Sequence, residues 1–201
     1  MDSFIEKCFC CLQKERPKDF PEGLQISNIS KNDILEAEKL LRRKIPKEFV
    51  EFLQSYKLPN IVLLGKFSGR YYSYGWTYSI ETDSYIEASE IDDNFVLLDI
   101  VPDGIWDIEN LADAIKTRSW NESYKFGYIF IGEFRESYYL FYDCKTKAVV
   151  YIDHEEIPDS PRRRSEMDNI AIVLFESFQD FLRCCFLGEV YDEDQCRFPL
   201  P

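Results

Sequence analysis

The sequence predicts an α+β fold, and three observations carry that reading. Helix-start signals and helical spacing are concentrated in residues 30–58 and return from Ser177. Between them, residues 61–153 hold short runs rich in Tyr, Phe, Ile and Val, divided by turn segments, as strands require. A length of 201 residues with 45% apolar side chains fits one domain with short extensions and a substantial core. The chain divides into an N-terminal extension (1–29), a main domain (30–187) and an acidic C-terminal tail (188–201).

In the extension, Phe4, Ile5, Cys8, Phe9, Cys11 and Leu12 have the spacing of one short amphipathic helix, and Pro17 and Pro21 end regular structure after it. Ser30-Lys31-Asn32-Asp33 reads as a capping box, followed by the helical stripe Ile34, Ala37, Leu40 and Leu41. Pro46 suits the first turn of a second helix, which presents Phe49, Phe52, Leu53 and Tyr56 and stops near Pro59.

Strand candidates then follow at Ile61–Phe67, Arg70–Ile80 and Phe95–Ile100. In the second of these, Tyr72, Tyr74, Trp76 and Tyr78 share one parity and predict a core face or a recognition surface. Ile108–Thr117 has the composition of a helix. Gly127–Phe134, Ser137–Asp143 and Ala148–Asp153 form a close succession of strands, the last two joined by the tight turn Asp143-Cys144-Lys145-Thr146-Lys147. Residues 155–168 read as a polar, proline-interrupted loop whose arginines, Arg162, Arg163 and Arg164, are expected to be solvated rather than to bind phosphate. For Ile170–Phe175 strand and helix both stay open. Ser177-Phe178-Gln179-Asp180 starts the last helix.

The formal net charge is −13. Residues 71–115 carry eleven acids and no Lys or Arg, while residues 1–60 are close to neutral. With no basic stripe to displace phosphate counterions, direct nucleic-acid binding is disfavoured; a basic protein partner is favoured by the same charge. No apolar run reaches the roughly 20 residues needed to cross a bilayer, and no secretory signal opens the chain. Seven cysteines without regular spacing argue for a reducing compartment, so a cytoplasmic location is expected.

Motifs for chemistry are sparse. His154 is the single histidine, flanked by Asp153 and Glu155, and reads as a strand-end residue rather than an acid–base catalyst, since no nucleophile signature accompanies it. Phosphate-binding loops, dinucleotide fingerprints and nucleophile elbows are absent from the sequence. No catalytic residue, cofactor or metal site is expected. Cys8, Cys10 and Cys11, with apolar neighbours and Lys14, Arg16 and Lys18 behind them, are candidates for S-acylation, the one route by which a membrane is expected to be involved.

Three stretches carry a resemblance. Ile45-Pro46-Lys47-Glu48-Phe49-Val50-Glu51-Phe52-Leu53 opens a helix; Tyr128–Glu133, Tyr139–Asp143 and Val149-Val150-Tyr151-Ile152-Asp153-His154-Glu155 form a hairpin series; Glu176-Ser177-Phe178-Gln179-Asp180-Phe181-Leu182 closes the domain. In order and spacing, over about residues 30–187, they resemble the SUKH superfamily, the Smi–Knr type of domain. Leu58-Pro59-Asn60 and Arg135-Glu136-Ser137 stand where the family usually has glycines. The resemblance implies a non-enzymatic α+β domain, its helices packed against a largely antiparallel or mixed central sheet of about six strands. It also implies a protein-binding role. Bacterial relatives are immunity proteins that neutralise a cognate toxin, often a nuclease, and eukaryotic relatives are regulatory or scaffolding proteins. If this chain is of the immunity type, its acidic segment would meet the toxin, with Glu90, Asp92, Asp93, Asp103 and Asp107 as candidate contacts on local charge density.

Overall fold

Three of the described helices start where a side chain takes up an otherwise unpaired backbone N–H. The computed structural model describes residues 3–68, 76–79, 84–87, 96–102, 111–117, 120–134 and 138–192. Helix α1 (Phe4–Glu15) is capped by Ser3, whose hydroxyl accepts from the Glu6 N–H. Helix α2 (Lys31–Leu41) has the full capping box: Ser30 Oγ accepts from Asp33 N–H at 3.3 Å and Asp33 Oδ2 accepts from Ser30 N–H at 2.7 Å. Helix α3 (Lys47–Leu53) begins one residue later than expected, with Pro46 at the N-cap rather than inside the first turn; its carbonyl accepts from Phe49 and Val50. Helix α4 spans Leu111–Thr117 and α5 Arg164–Asp168. Helix α6 (Phe178–Leu187) is capped by Ser177, which accepts from Asp180 N–H. It ends at Gly188, whose φ of 65° is the left-handed conformation a glycine adopts without a Cβ clash.

The strands are β1 (Leu63–Ser68), β2 (Trp76–Ser79), β3 (Ser84–Glu87), β4 (Val96–Pro102), β5 (Tyr128–Phe134), β6 (Tyr138–Asp143), β7 (Val149–Asp153), β8 (Ile172–Phe175) and β9 (Val190–Asp192). Seven form one sheet in the order β8-β7-β6-β5-β4-β1-β9, while β2 and β3 pair as a separate hairpin. All neighbours in the large sheet are antiparallel except β1 and β9, which run parallel. The sheet is therefore mixed and one strand larger than the sequence suggested. The segment left open, Ile170–Phe175, is mostly strand, paired to β7 through Val150 and Val173.

A register shift between Phe130 and Gly132 marks a bulge in β5. It re-phases the strand, so that Ile129 before it, Ile131 within it and Phe134 after it all join the helix-side core. On that side Phe49 of α3 stacks on Tyr142 of β6 at 4.2 Å between ring centres and meets Phe178 of α6 edge-on at 4.8 Å. Phe9 brings α1 into the same core, 5.3 Å from both Phe52 and Phe186. Such pairs contribute about 0.5–1.5 kcal/mol each beyond the area they bury.

The opposite face of β5–β7 carries a second core of Tyr128, Phe130, Phe141, Val150 and Ile152, roofed by Ile157 and Met167. Both faces being covered explains why Tyr128–Ile131 and Val149–Ile152 are unbroken apolar runs rather than alternating ones.

Candidate functional site

The roof over the second face is held down by an ion-pair network that the sequence did not single out. Asp143 ends β6 and its carboxylate is almost wholly buried, with 3% of the side chain exposed. Its Oδ1 accepts from Lys145 N–H at 2.9 Å, and its Oδ2 from Thr146 Oγ1 at 2.7 Å and Arg164 Nη2 at 2.7 Å. The first two bonds shape the turn to β7, where Lys147 takes φ 66° and returns its N–H to the Asp143 carbonyl at 2.7 Å. The third ties α5 to the sheet.

Arg164 is the hub. Its Nη1 donates to the Phe126 carbonyl at 2.6 Å, its Nε lies 3.0 Å from Asp168 Oδ1 one helical turn on, and its guanidinium sits 4.7 Å from the centre of the Tyr128 ring. Tyr128 in turn donates its hydroxyl to Asp168 at 2.6 Å. Burial alone would raise the Asp143 pKa, but the hydrogen bonds from Arg164, Lys145 and Thr146 outweigh it and hold the carboxyl below its usual range. Burial would lower Arg164; the bond to Asp143 leads the effects that raise it instead. Tyr128 is pushed up by burial and by its bond to Asp168. A charged pair locked into place in this way does not cycle protons near neutral pH. The expectation of three solvated arginines is thus corrected at one position: Arg162 and Arg163 are exposed, but Arg164 keeps only 17% of its side chain in solvent.

His154 opens a short 3-10 turn after β7, with Nδ1 3.7 Å from Asp153 Oδ1 and its ring 5.8 Å from that of Tyr139. Asp153 caps that turn by accepting from Glu155 N–H at 3.0 Å. The sequence triplet therefore serves a strand end. Among the described residues, no group of three or more His, Cys, Asp or Glu is placed to hold a metal ion.

The N-terminal cysteines separate by burial. Cys8 lies in the core, and burial leads the effects that push its thiol up to about 12. Cys11 is half-buried and also raised, by burial and by Glu15. Cys10 is exposed on the outer face of α1, with Lys7 and Lys14 exposed three and four residues to either side. With α1 docked, Cys10 is therefore open to solvent and Cys8 is enclosed. Among the described residues no helix is long and apolar enough to cross a membrane.

An open pocket of about 360 Å³ lies between the residues after α1 and the loop after α3, with Asp19, Glu22, Lys57, Pro59 and Asn60 in its walls. It includes the position where the sequence departs from the glycine pair of the resemblance.

The acidic candidates Glu90, Asp92, Asp93, Asp103 and Asp107 lie outside the described residues, as do Tyr72 and Tyr74. The described chain nonetheless sets their points of attachment. Asp93 is three residues before Val96, where β4 begins, and Asp103 directly follows Pro102, where it ends. Those two ends are about 20 Å apart along a strand. Asp113, the described member of the acidic segment in α4, is exposed.

A model of the SMI1 / KNR4 family (SUKH-1) matches residues 28–184, which includes α2 through most of α6 and leaves α1 outside. No curated protein and no solved structure matches the chain.

Proposed function

The chain belongs to the SMI1 / KNR4 family (SUKH-1), and from that membership we propose that it is a non-enzymatic protein-binding domain of the immunity type, which binds and neutralises a basic cognate toxin. The observation that carries the reading is the charge distribution: eleven acids and no base over residues 71–115. A surface built from that segment steers a basic partner towards it and raises the rate of encounter. A nuclease fits best, because an active site shaped to receive phosphates also receives carboxylates. Glu90, Asp92, Asp93, Asp103 and Asp107 are the proposed contacts, and they join the described chain at the two ends of β4.

The test is growth. Co-expression of the chain with a toxin encoded beside it should restore growth to cells that the toxin alone arrests, and reversal of Asp92 and Asp93 to Lys should weaken the rescue. Arrest that the intact chain leaves unchanged overturns the assignment.

Exposure of Cys10 beside Lys7 and Lys14 favours a second reading, a regulatory or scaffold protein held at a membrane by acylated cysteine. One acyl chain binds membranes only marginally, so this reading needs Cys11 or the basic residues as a second anchor. A Cys10→Ser, Cys11→Ser variant that stays in the membrane fraction counts against it.

A further inference from the structure

We propose that Ser160 is the acceptor of a proline-directed protein kinase that also selects basic residues after its target. Ser160-Pro161 is the only place in the chain where a Ser or Thr precedes Pro, and Arg162, Arg163 and Arg164 follow directly. Ser160 is exposed, as are Asp159, Arg162 and Arg163, and among the described residues the Ser160 hydroxyl makes no hydrogen bond.

Backbone geometry favours the same residue. A kinase takes its substrate as an extended strand, so the segment around the acceptor must be drawn out without breaking the fold. Among the described residues, no backbone–backbone hydrogen bond joins Pro158, Asp159, Ser160 or Pro161 to the rest of the protein. The segment hangs between two anchors, Ile157 in the second core and Arg164 in the ion-pair network. To free the chain up to Arg163, three contacts with Glu166 must be released: the Arg162 N–H bond to its Oε2 at 2.9 Å, the bond from its N–H to the Arg163 carbonyl at 3.1 Å, and the Arg163 ion pair at 3.9 Å.

The residue types supply recognition. Proline has no N–H, so a pocket that buries the residue after the acceptor takes it without leaving a donor unpaired. Any other residue there would bury an unsatisfied N–H. The exposed guanidinium groups of Arg162 and Arg163 pair with carboxylates or phosphates on the kinase. In a chain of net charge −13, this loop is a site that an acidic recognition surface can approach.

The reaction needs magnesium and ATP. The bond between the γ-phosphorus and the bridging oxygen breaks and a new bond forms from Ser160 Oγ to that phosphorus. ADP leaves, and the hydroxyl proton passes to the catalytic carboxylate of the kinase and then to solvent. The product carries about two negative charges and three acceptor oxygens next to Arg162 and Arg163. The phosphoryl group adds its charge to a loop where Asp159 and Glu166 already offset Arg162 and Arg163, while Arg164 stays engaged with Asp143.

The test uses the folded full-length chain, magnesium ATP and two proline-directed kinases, one requiring a basic residue three positions after the acceptor and one indifferent to it. Mass spectrometry should map a single phosphoryl group to Ser160, and Ser160→Ala, shown by circular dichroism to be folded, should take up none. Pro161→Ala should lower kcat/KM about tenfold or more with both kinases, and Arg163→Ala about tenfold with the selective one alone. No incorporation into the folded chain overturns the proposal. So does incorporation that survives Ser160→Ala, or that appears only after heat unfolding.

Discussion

Replacing Arg164 with Met asks how much of the fold rests on one buried cation. The variant loses a charge-assisted hydrogen bond to Asp143, worth about 1.5–3 kcal/mol, and a guanidinium–ring contact on Tyr128 worth about 1 kcal/mol. It also leaves the Asp143 carboxylate buried, a condition that costs about 3–5 kcal/mol when no partner remains. Here two donors do remain, the Lys145 N–H at 2.9 Å and Thr146 Oγ1 at 2.7 Å, so the lower end applies. We expect a loss of about 3 kcal/mol in urea unfolding followed by circular dichroism, and a fall in Tm of about 6–12 °C for a chain of this length. Asp143→Asn should cost less, about 2 kcal/mol, because an amide still accepts from the turn. The double variant should be milder than the sum of the two by about 2 kcal/mol, the signature of groups acting on each other. An Arg164→Met variant within about 0.5 kcal/mol of the parent, or a strictly additive double variant, would refute a stabilising Arg164–Asp143 pair.

Acid should act through the same pair. The Asp143 pKa is lowered by folding, so its contribution is complete above the unfolded value of about 3.9 and is lost as pH falls from there through the lower folded value. Asp143→Asn should flatten the acid limb of the stability curve below about pH 4, and a limb of unchanged slope contradicts this. Phe9→Ala should cost about 3–5 kcal/mol, although Phe9 precedes the family match, because its ring is fully buried against Phe52 and Phe186; a loss near zero would mean that α1 is a dispensable appendage. With a maleimide probe on the native chain, Cys10 should label first, and Cys8, Cys144 and Cys185 at least about a hundredfold more slowly, at the rate of local opening. Equal rates for Cys8 and Cys10 would contradict a docked α1.

Features written in a few neighbouring residues are legible in the sequence alone. Ser30 with Asp33 and Ser177 with Asp180 cap helices through contacts three residues apart, so both partners stand within one short window. The Asp143–Lys147 turn is legible for the same reason. Strand β9 is not: three residues gain their structure from parallel pairing with β1, more than a hundred positions earlier. Strand β8 stays ambiguous because Ala171-Ile172-Val173-Leu174-Phe175 has no period, and its pairing with β7 decides it.

Arg164 cannot be told from Arg162 and Arg163 by type or neighbourhood. The available signal is indirect: an Asp at the end of an aromatic strand needs a buried partner, and Asp168 stands one helical turn from Arg164. The cysteines are a similar case. Helical spacing puts Cys8 and Cys11 on the apolar stripe and Cys10 off it, but only the packing of α1 on α6 separates the buried Cys8 from the half-buried Cys11. For the acidic segment, the sequence supplies charge and β4 supplies attachment points; Glu90, Asp92 and Asp93 join one end of that strand, and Asp103 and Asp107 the other.

Titrating the purified chain against the purified basic toxin domain encoded beside it, over a range of ionic strength, tests electrostatic capture of a toxin most directly. Kd should rise about tenfold or more between about 0.05 and 0.5 M salt, and Lys at Asp92 and Asp93 should weaken binding and reduce that dependence. Binding that salt and charge reversal both leave unchanged would contradict it.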